Sequence, residues 1–166
     1  MFINTKTLKN SRSYTVQEAI KKLERYCIYQ ERCYKDVISR LKAMNMIPVA
    51  IDTIVLHLVH NDYLNEERYA KSFARGKFSI KKWGRQRIIR ALKAKEISNY
   101  NINKALGEID EEAYRAAFNA LVKKRLSQIK EKDPLKKKKK LATYLLYRGW
   151  ESEMVYDMLY ALNLPG

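Results

Sequence analysis

Three stretches of this chain repeat one helical pattern, and that repetition limits the fold more than any single residue does. They are Val37–Leu58, Ile88–Ile109 and Leu141–Leu162. Displacing the first by 51 positions carries Val37, Ile38, Leu41, Met46, Ile51 and Val55 onto Ile88, Ile89, Leu92, Ile97, Ile102 and Leu106. A further 53 positions carries these onto Leu141, Ala142, Leu145, Trp150, Val155 and Leu159. Each copy reads as an amphipathic helix, a tight break and a second, shorter amphipathic helix. The break aligns too. Asn45, Glu96 and Gly149 occupy it, each followed by a large apolar residue, Met46, Ile97 or Trp150. Asn and Gly tolerate the left-handed conformation that ends helices, and an apolar residue just beyond packs back on the last turn, as in a Schellman ending. A unit of about 50 residues is near the lower limit for folding alone, so neighbours should share core. Tandem arrays of this kind present an extended surface rather than a single pocket.

The remaining signals place more helices between these stretches. Thr15 followed by Glu18 is a capping-box pattern, opening a helix with Val16, Ile20, Leu23 and Cys27 on one face. Pro48 suits the first position of the next-but-one helix, because the N–H it lacks would be unpaired there. A helix over about 65–77 points Tyr69 and Phe73 inward, with Gly76 and Ser79 loosening its end. The next spans about Lys81 to Lys95, with Ile88, Ile89 and Leu92 buried and Lys82, Gln86, Arg90 and Lys93 as a polar stripe. Ser98 or Asn99 caps the one after. A long helix from about Asp110 to Lys130 carries acids at its start and Lys123, Lys124, Arg125 and Lys130 toward its end, complementing its dipole. Asp133-Pro134 opens the lysine-rich helix. No strand-like alternation competes. The expectation is an all-α protein: a flexible arm over 1–13, then three-helix repeats over 14–60, 61–108 and 109–166.

Charge narrows the partners. The net charge is +16, from 34 basic and 18 acidic residues, and residues 61–108 alone contribute +7. Between Arg68 and Lys95 there are eleven Lys or Arg and no Asp or Glu. So one-sided a field implies a polyanionic partner, either nucleic acid or an acidic protein surface. The basic faces selected are Lys81, Lys82, Arg85, Arg87, Arg90 and Lys93, with Trp83 alongside to stack on a base or sugar, then Lys136, Lys137, Lys138, Lys139 and Lys140, then Arg148. Tyr144, Tyr147, Tyr156 and Tyr160 cluster nearby.

Catalysis finds no foothold. The five glycines are too scattered for a phosphate cradle, and no nucleophile motif is present. His57 and His60, near Asp52, lack a third metal ligand and read as solvated or partner-facing. Asp110-Glu111-Glu112 reads as helix-start stabilisation. Cys27 and Cys33 have no zinc spacing and read as small buried hydrophobes of a reducing cytosol. The polar, basic N-terminus lacks a secretory apolar segment, and no run approaches a membrane span. The reading is a non-enzyme without cofactor or metal.

Residues Asn61 to Ala70, NDYLNEERYA, resemble the GYLDDxRFA-type signature of the RecX family. Trp83 to Leu92, WGRQRIIRAL, resembles that family's glycine-then-RIRxEL helix, and Leu145 to Trp150, LLYRGW, resembles its third-repeat segment. With the opening helix pair, the resemblance covers about residues 14–162. It implies three tandem three-helix repeats in an elongated, curved arrangement. It further implies a cytoplasmic, monomeric regulator that binds the RecA nucleoprotein filament and restrains ATP hydrolysis, strand exchange and co-protease activity in recombination, DNA repair and the SOS response. A stand-alone helical module binding single- or double-stranded DNA without RecA is the other reading. Asp62, Tyr63, Leu64, Arg68, Tyr69, Gly84 and Gly149 take structural roles in the motifs. Asn61 stands where the signature usually has glycine, and should tolerate the left-handed conformation in its place.

Overall fold

The structure, a computed structural model, describes residues 13–162. The expected arm lies, but for Ser13, outside the described residues. The described residues form nine α-helices and no strand, divided between Asn65 and Glu66 into two compact units.

The first unit contains α1 (Val16–Tyr29), α2 (Tyr34–Ala43) and α3 (Pro48–His60). Thr15 and Glu18 form the expected reciprocal capping box, and Pro48 opens α3. The stripes of all three helices close on one core, in which Leu23, Val37, Leu41, Ile54, Leu58 and Leu64 are essentially sealed from solvent. Cys27 and Cys33 are both buried. His57 departs from its sequence reading. Its Nε2 lies 2.8 Å from Oε1 of Glu24, tying α3 to α1. His60 and Asp52 are exposed.

The second unit contains α4 (Glu66–Lys81), α5 (Arg85–Ala94), α6 (Asn99–Gly107), α7 (Glu111–Gln128), α8 (Pro134–Tyr147) and α9 (Ser152–Ala161). α4, α5 and α6 pack together, as α8 does with α7 and α9. Side-chain caps start three of these helices: Ser98 accepts from Asn101 N, Asp110 from Ala113 N, and Asp133 from both Leu135 N and Lys136 N.

The breaks of the three aligned stretches are built alike. Asn45, Glu96 and Gly149 have φ of 59°, 63° and 84°. In each, the apolar residue's amide reaches back five residues: Met46 to Leu41 O at 3.1 Å, Ile97 to Leu92 O at 3.1 Å, Trp150 to Leu145 O at 3.2 Å. The left-handed residue itself bonds three back, at 2.8–2.9 Å, completing Schellman endings. The aligned core positions match as well, with Val37, Ile88 and Leu141 buried alike, and Leu41, Leu92 and Leu145 alike. α3 ends the same way. There, however, Asp62 takes the left-handed conformation at φ 57°, while Asn61 remains at φ −94° and closes the helix. The signature is thus shifted one residue from the sequence reading, because the bonds from Asp62 to Val59 O and from Tyr63 to Leu58 O fix which residue turns.

Candidate functional site

The basic run from Lys81 to Lys95 is not one helix. α4 continues through Gly76 and Ser79 to Lys81. Lys82 then turns left-handed at φ 53°, and Gly84 is the extended N-cap of α5. The expected stripe of Lys82, Gln86, Arg90 and Lys93 is therefore broken. Only the last three share a helix, and Lys82 belongs to the corner. The corner's direction is set from outside the run: the amide of Gly84 donates to Arg148 O at 2.9 Å, and that of Gln86 to Gly149 O at 3.0 Å. The amide-rich start of α5 thus meets the carbonyl-rich end of α8, satisfying groups that both helices leave unpaired. Gly84 and Gly149 permit this approach. A Cβ on Gly84 would collide with the backbone of Gly149, and one on Gly149 with Arg87.

Around this contact the arginines are consumed internally. The amide of Arg85 donates to the hydroxyl of Tyr114 at 2.9 Å, which in turn donates to Glu151 at 2.7 Å. The Arg85 guanidinium lies 3.9 Å over the Tyr114 ring, 2.7 Å from Glu111 and 3.8 Å from Glu151. Burial, reinforced by Glu151, holds the Tyr114 phenol neutral far above its ordinary range. The hydrogen bond from Arg85 holds the Glu111 carboxyl below its ordinary range. Asp110 does cap α7, but Glu111 does more than stabilise a helix start, because it anchors Arg85. Tyr114 also packs on Trp150, with ring centroids 4.5 Å apart, and Phe118 lies 5.1 Å from the same indole. Arg87 donates to Tyr147 O at 3.2 Å and lies between the Trp83 and Tyr147 rings, at 4.2 and 4.7 Å. Arg148 donates to Lys81 O.

The outward-facing cations are a different set. Lys81, Lys82, Arg90 and Lys93 are exposed, as are Lys136 and Lys139, while Lys137 and Lys138 are half-buried. Lys140 bonds Glu131 at 2.9 Å, which holds that carboxyl below its ordinary range. Trp83 is half-buried, with Lys77 5.0 Å over its ring and Phe73 edge-on, so it is no open stacking platform. Tyr147, 71% exposed, and Tyr160, 92% exposed, present more open rings. Of the motif residues, Leu64 and Tyr69 are buried, Tyr63 packs on the first unit's core, and Arg68 is half-buried.

One feature escaped the sequence reading. Lys124 and Arg125, read only as dipole complements, join Lys81, Lys82 and Arg148 around a hollow of about 230 Å³. Ile80, Leu121, Gln128 and Tyr144 complete its lining, which contains no carboxylate. The Lys123-Lys124-Arg125 triplet was a signal, but only packing brings α7 beside the end of α4.

The family models agree with this architecture. That of the second three-helix domain of RecX matches residues 65–106, and that of the third matches residues 110–159. The chain is 31% identical over 139 residues to regulatory protein RecX of Streptococcus uberis, covering 83% of this chain and 51% of that one. Against regulatory protein RecX of Lactobacillus delbrueckii subsp. bulgaricus it is 29% identical over 130 residues, covering 78% and 48%. It thus spans about half the length of these curated relatives. Among solved structures, the crystal structure of a regulatory protein RecX is similar with a TM-score of 0.79 at 22% identity, covering 89% of this chain and 73% of that one. RecX from Lactobacillus salivarius is similar with a TM-score of 0.75 at 21% identity, covering 89% and 97%. Two consecutive RecX three-helix domains matched in order, on helices that end in the repeated left-handed breaks, make this chain a member of the RecX family.

Proposed function

We propose that this chain is a negative modulator of the RecA recombinase. It acts without catalysis of its own, by lying along the RecA–DNA filament and restraining ATP hydrolysis, strand exchange and co-protease activity. The observation that carries this reading, beside family membership, is the set of exposed cations on the second unit: Lys81, Lys82, Arg90, Lys93, Lys136 and Lys139. They meet acidic filament surface or the DNA backbone. Repeats linked in one chain engage successive RecA subunits, so contacts that are weak singly gain avidity. In this reading the three repeats over 14–60, 61–108 and 109–166 act together, and the protein works as a monomer in the cytoplasm.

The test is a titration of the chain into RecA on single-stranded DNA, following ATP hydrolysis. Inhibition at substoichiometric amounts is expected, and an unchanged rate at saturating protein overturns the reading. Charge reversal at Arg90 and Lys93 is the informative variant. Both are exposed on α5, so Arg90→Glu with Lys93→Glu should relieve inhibition while leaving the melting temperature unchanged. Reversal at Arg85 or Arg87 would disturb the fold itself, since both side chains bond within the second unit, to Glu111 and to Tyr147 O.

A further inference from the structure

We infer that the outer face of α9, with the cleft beside it, docks a lysine- or arginine-bearing segment of a protein partner. On the regulator reading, on which this rests, that partner is a RecA subunit. Glu153, Tyr156, Asp157 and Tyr160 recur at helical spacing and are all exposed. Val155 and Leu159 hold the opposite side of the helix in the core, so this face is fixed outward. Beside it, Met154 with Phe118 and Asn119 of α7 lines a cleft of about 510 Å³ that Glu153 and Asp157 also border. The arginines of the cleft are already engaged, Arg85 by Glu111 and Glu151, and Arg115 by Glu111 at 3.2 Å. No cation is seen to pair with Glu153 or Asp157 among the described residues.

The helix dipole accounts for Glu153, in the first turn of α9. It does not account for Asp157, a full turn further on, which repels Glu153 from the same side. Nor does the repeat itself require these residues. Register places Tyr100, Asn103, Lys104 and Gly107 of the second copy, and Val49, Asp52, Thr53 and Leu56 of the first, at the same four positions. In a chain with 34 basic and 18 acidic residues, this acidic face is a local exception, and its field attracts a cation rather than a phosphate. The two tyrosines are therefore poor platforms for bases, since a strand's backbone would be repelled beside them. With carboxylates between them, open phenol rings suit the ammonium or guanidinium of a protein. Met154, half-buried in the cleft, offers an apolar seat for the aliphatic stem of the same side chain. Exposed tyrosines bury a large area at small entropic cost, which is why they anchor protein contacts.

The measurement is RecA ATP hydrolysis on single-stranded DNA as the full chain is titrated in, with binding of each variant to the same DNA alone followed in parallel. Glu153→Lys with Asp157→Lys should raise the concentration for half inhibition about tenfold, although it makes the chain more basic. Tyr156→Ala with Tyr160→Ala should raise it comparably at unchanged charge. Asp52→Lys, on α3, adds charge away from the face and should change little. Neither pair should weaken binding to free DNA. Circular dichroism melting checks that the variants fold. If the charge pair melts low, Asp157→Lys alone, beyond the first turn, carries that arm. A parent chain without effect on RecA overturns the regulator reading, and RecA as the occupant with it. A parent that inhibits, with either pair inhibiting equally well, overturns the docking face and leaves the regulator reading standing. Loss of free-DNA binding alongside loss of inhibition also overturns the face, because it would then act through DNA.

Discussion

Tyr114 carries more of the second unit than its one hydroxyl suggests. It accepts from a backbone amide, donates to a carboxylate and supports the Arg85 guanidinium, all beside a buried indole. Tyr114→Phe keeps the ring and strands the Arg85 amide and Glu151, so it should lower unfolding free energy by about 1–3 kcal/mol in urea denaturation. An unchanged midpoint would mean that water replaces the hydroxyl without loss. Glu96 is a second informative residue, because it adopts a conformation that glycine prefers. Glu96→Gly should be more stable than Glu96→Ala by about 1 kcal/mol, both variants lacking the side chain, so that only the left-handed strain separates them. Asn45 and Gly149 were legible at these breaks from residue type alone. Glu96 was legible only through its register with them, and Asp62 could not be told from Asn61 until the amide partners were known.

Helix starts that carry a side-chain cap are where sequence and structure agree most closely. The box at Thr15 and Glu18, the caps at Ser98 and Asp110, and the Asp133-Pro134 start all appear where the residue types require them. α8 needs its cap most, since a run of lysines follows in the first turns, where the dipole disfavours cations. Asp133→Ala should cost about 1–2 kcal/mol, read by chemical denaturation. It should also speed hydrogen exchange at Leu135 and Lys136. α4 and α6 are joined by an exposed ionic network: Glu67 contacts Lys71 at 3.0 Å and Lys104 at 3.4 Å, and Lys71 contacts Glu108 at 2.9 Å. The bond from Lys71 lowers Glu67 from its ordinary 4.5. Glu108, with Glu67, raises Lys71 from 10.5, and Tyr100, with Glu67, raises Lys104. The carboxylate's contribution is present above its unfolded value and lost as pH falls through the lowered folded one. The lysines' contribution is full below their unfolded value and lost as pH rises through the raised one. Glu67→Gln should therefore melt below the parent near pH 7 and coincide with it at about pH 2, where both side chains are neutral. A gap that persists in acid would point to packing instead.

At the scale of the whole molecule, the second unit depends on one place where two helix ends meet. Gly84 and Gly149 touch, and Arg85, Arg87 and Arg148 fasten the surroundings. Gly84→Ala should cost about 2 kcal/mol or more, because the intruded atoms are backbone and cannot swing aside. Hydrogen exchange should quicken at the amides of Gln86 and Trp150 together, although the two lie in different helical trios. Exchange confined to α5 would show that the trios are independent. The same arrangement divides the basic residues into two populations. Arg85, Arg87 and Arg148 bond within the fold, whereas Lys81, Lys82, Arg90 and Lys93 face solvent.

The sequence by itself determined the helices, their caps, the recurring left-handed breaks and the family. These rest on backbone geometry and on apolar spacing within one turn or two, and both are properties of consecutive residues. Only the tertiary structure decided what each cation does. Nothing local distinguishes Arg85 from Arg90, since each is an arginine on the same helix. Glu111, Tyr114 and Glu151 reach the first, and no such group is seen to reach the second, because the first turn of α7 and the residue before α9 bring their side chains to α5's start. The hollow at Arg125 has the same origin. Its cations lie far apart along the chain, and converge only because three helices end at one point in space.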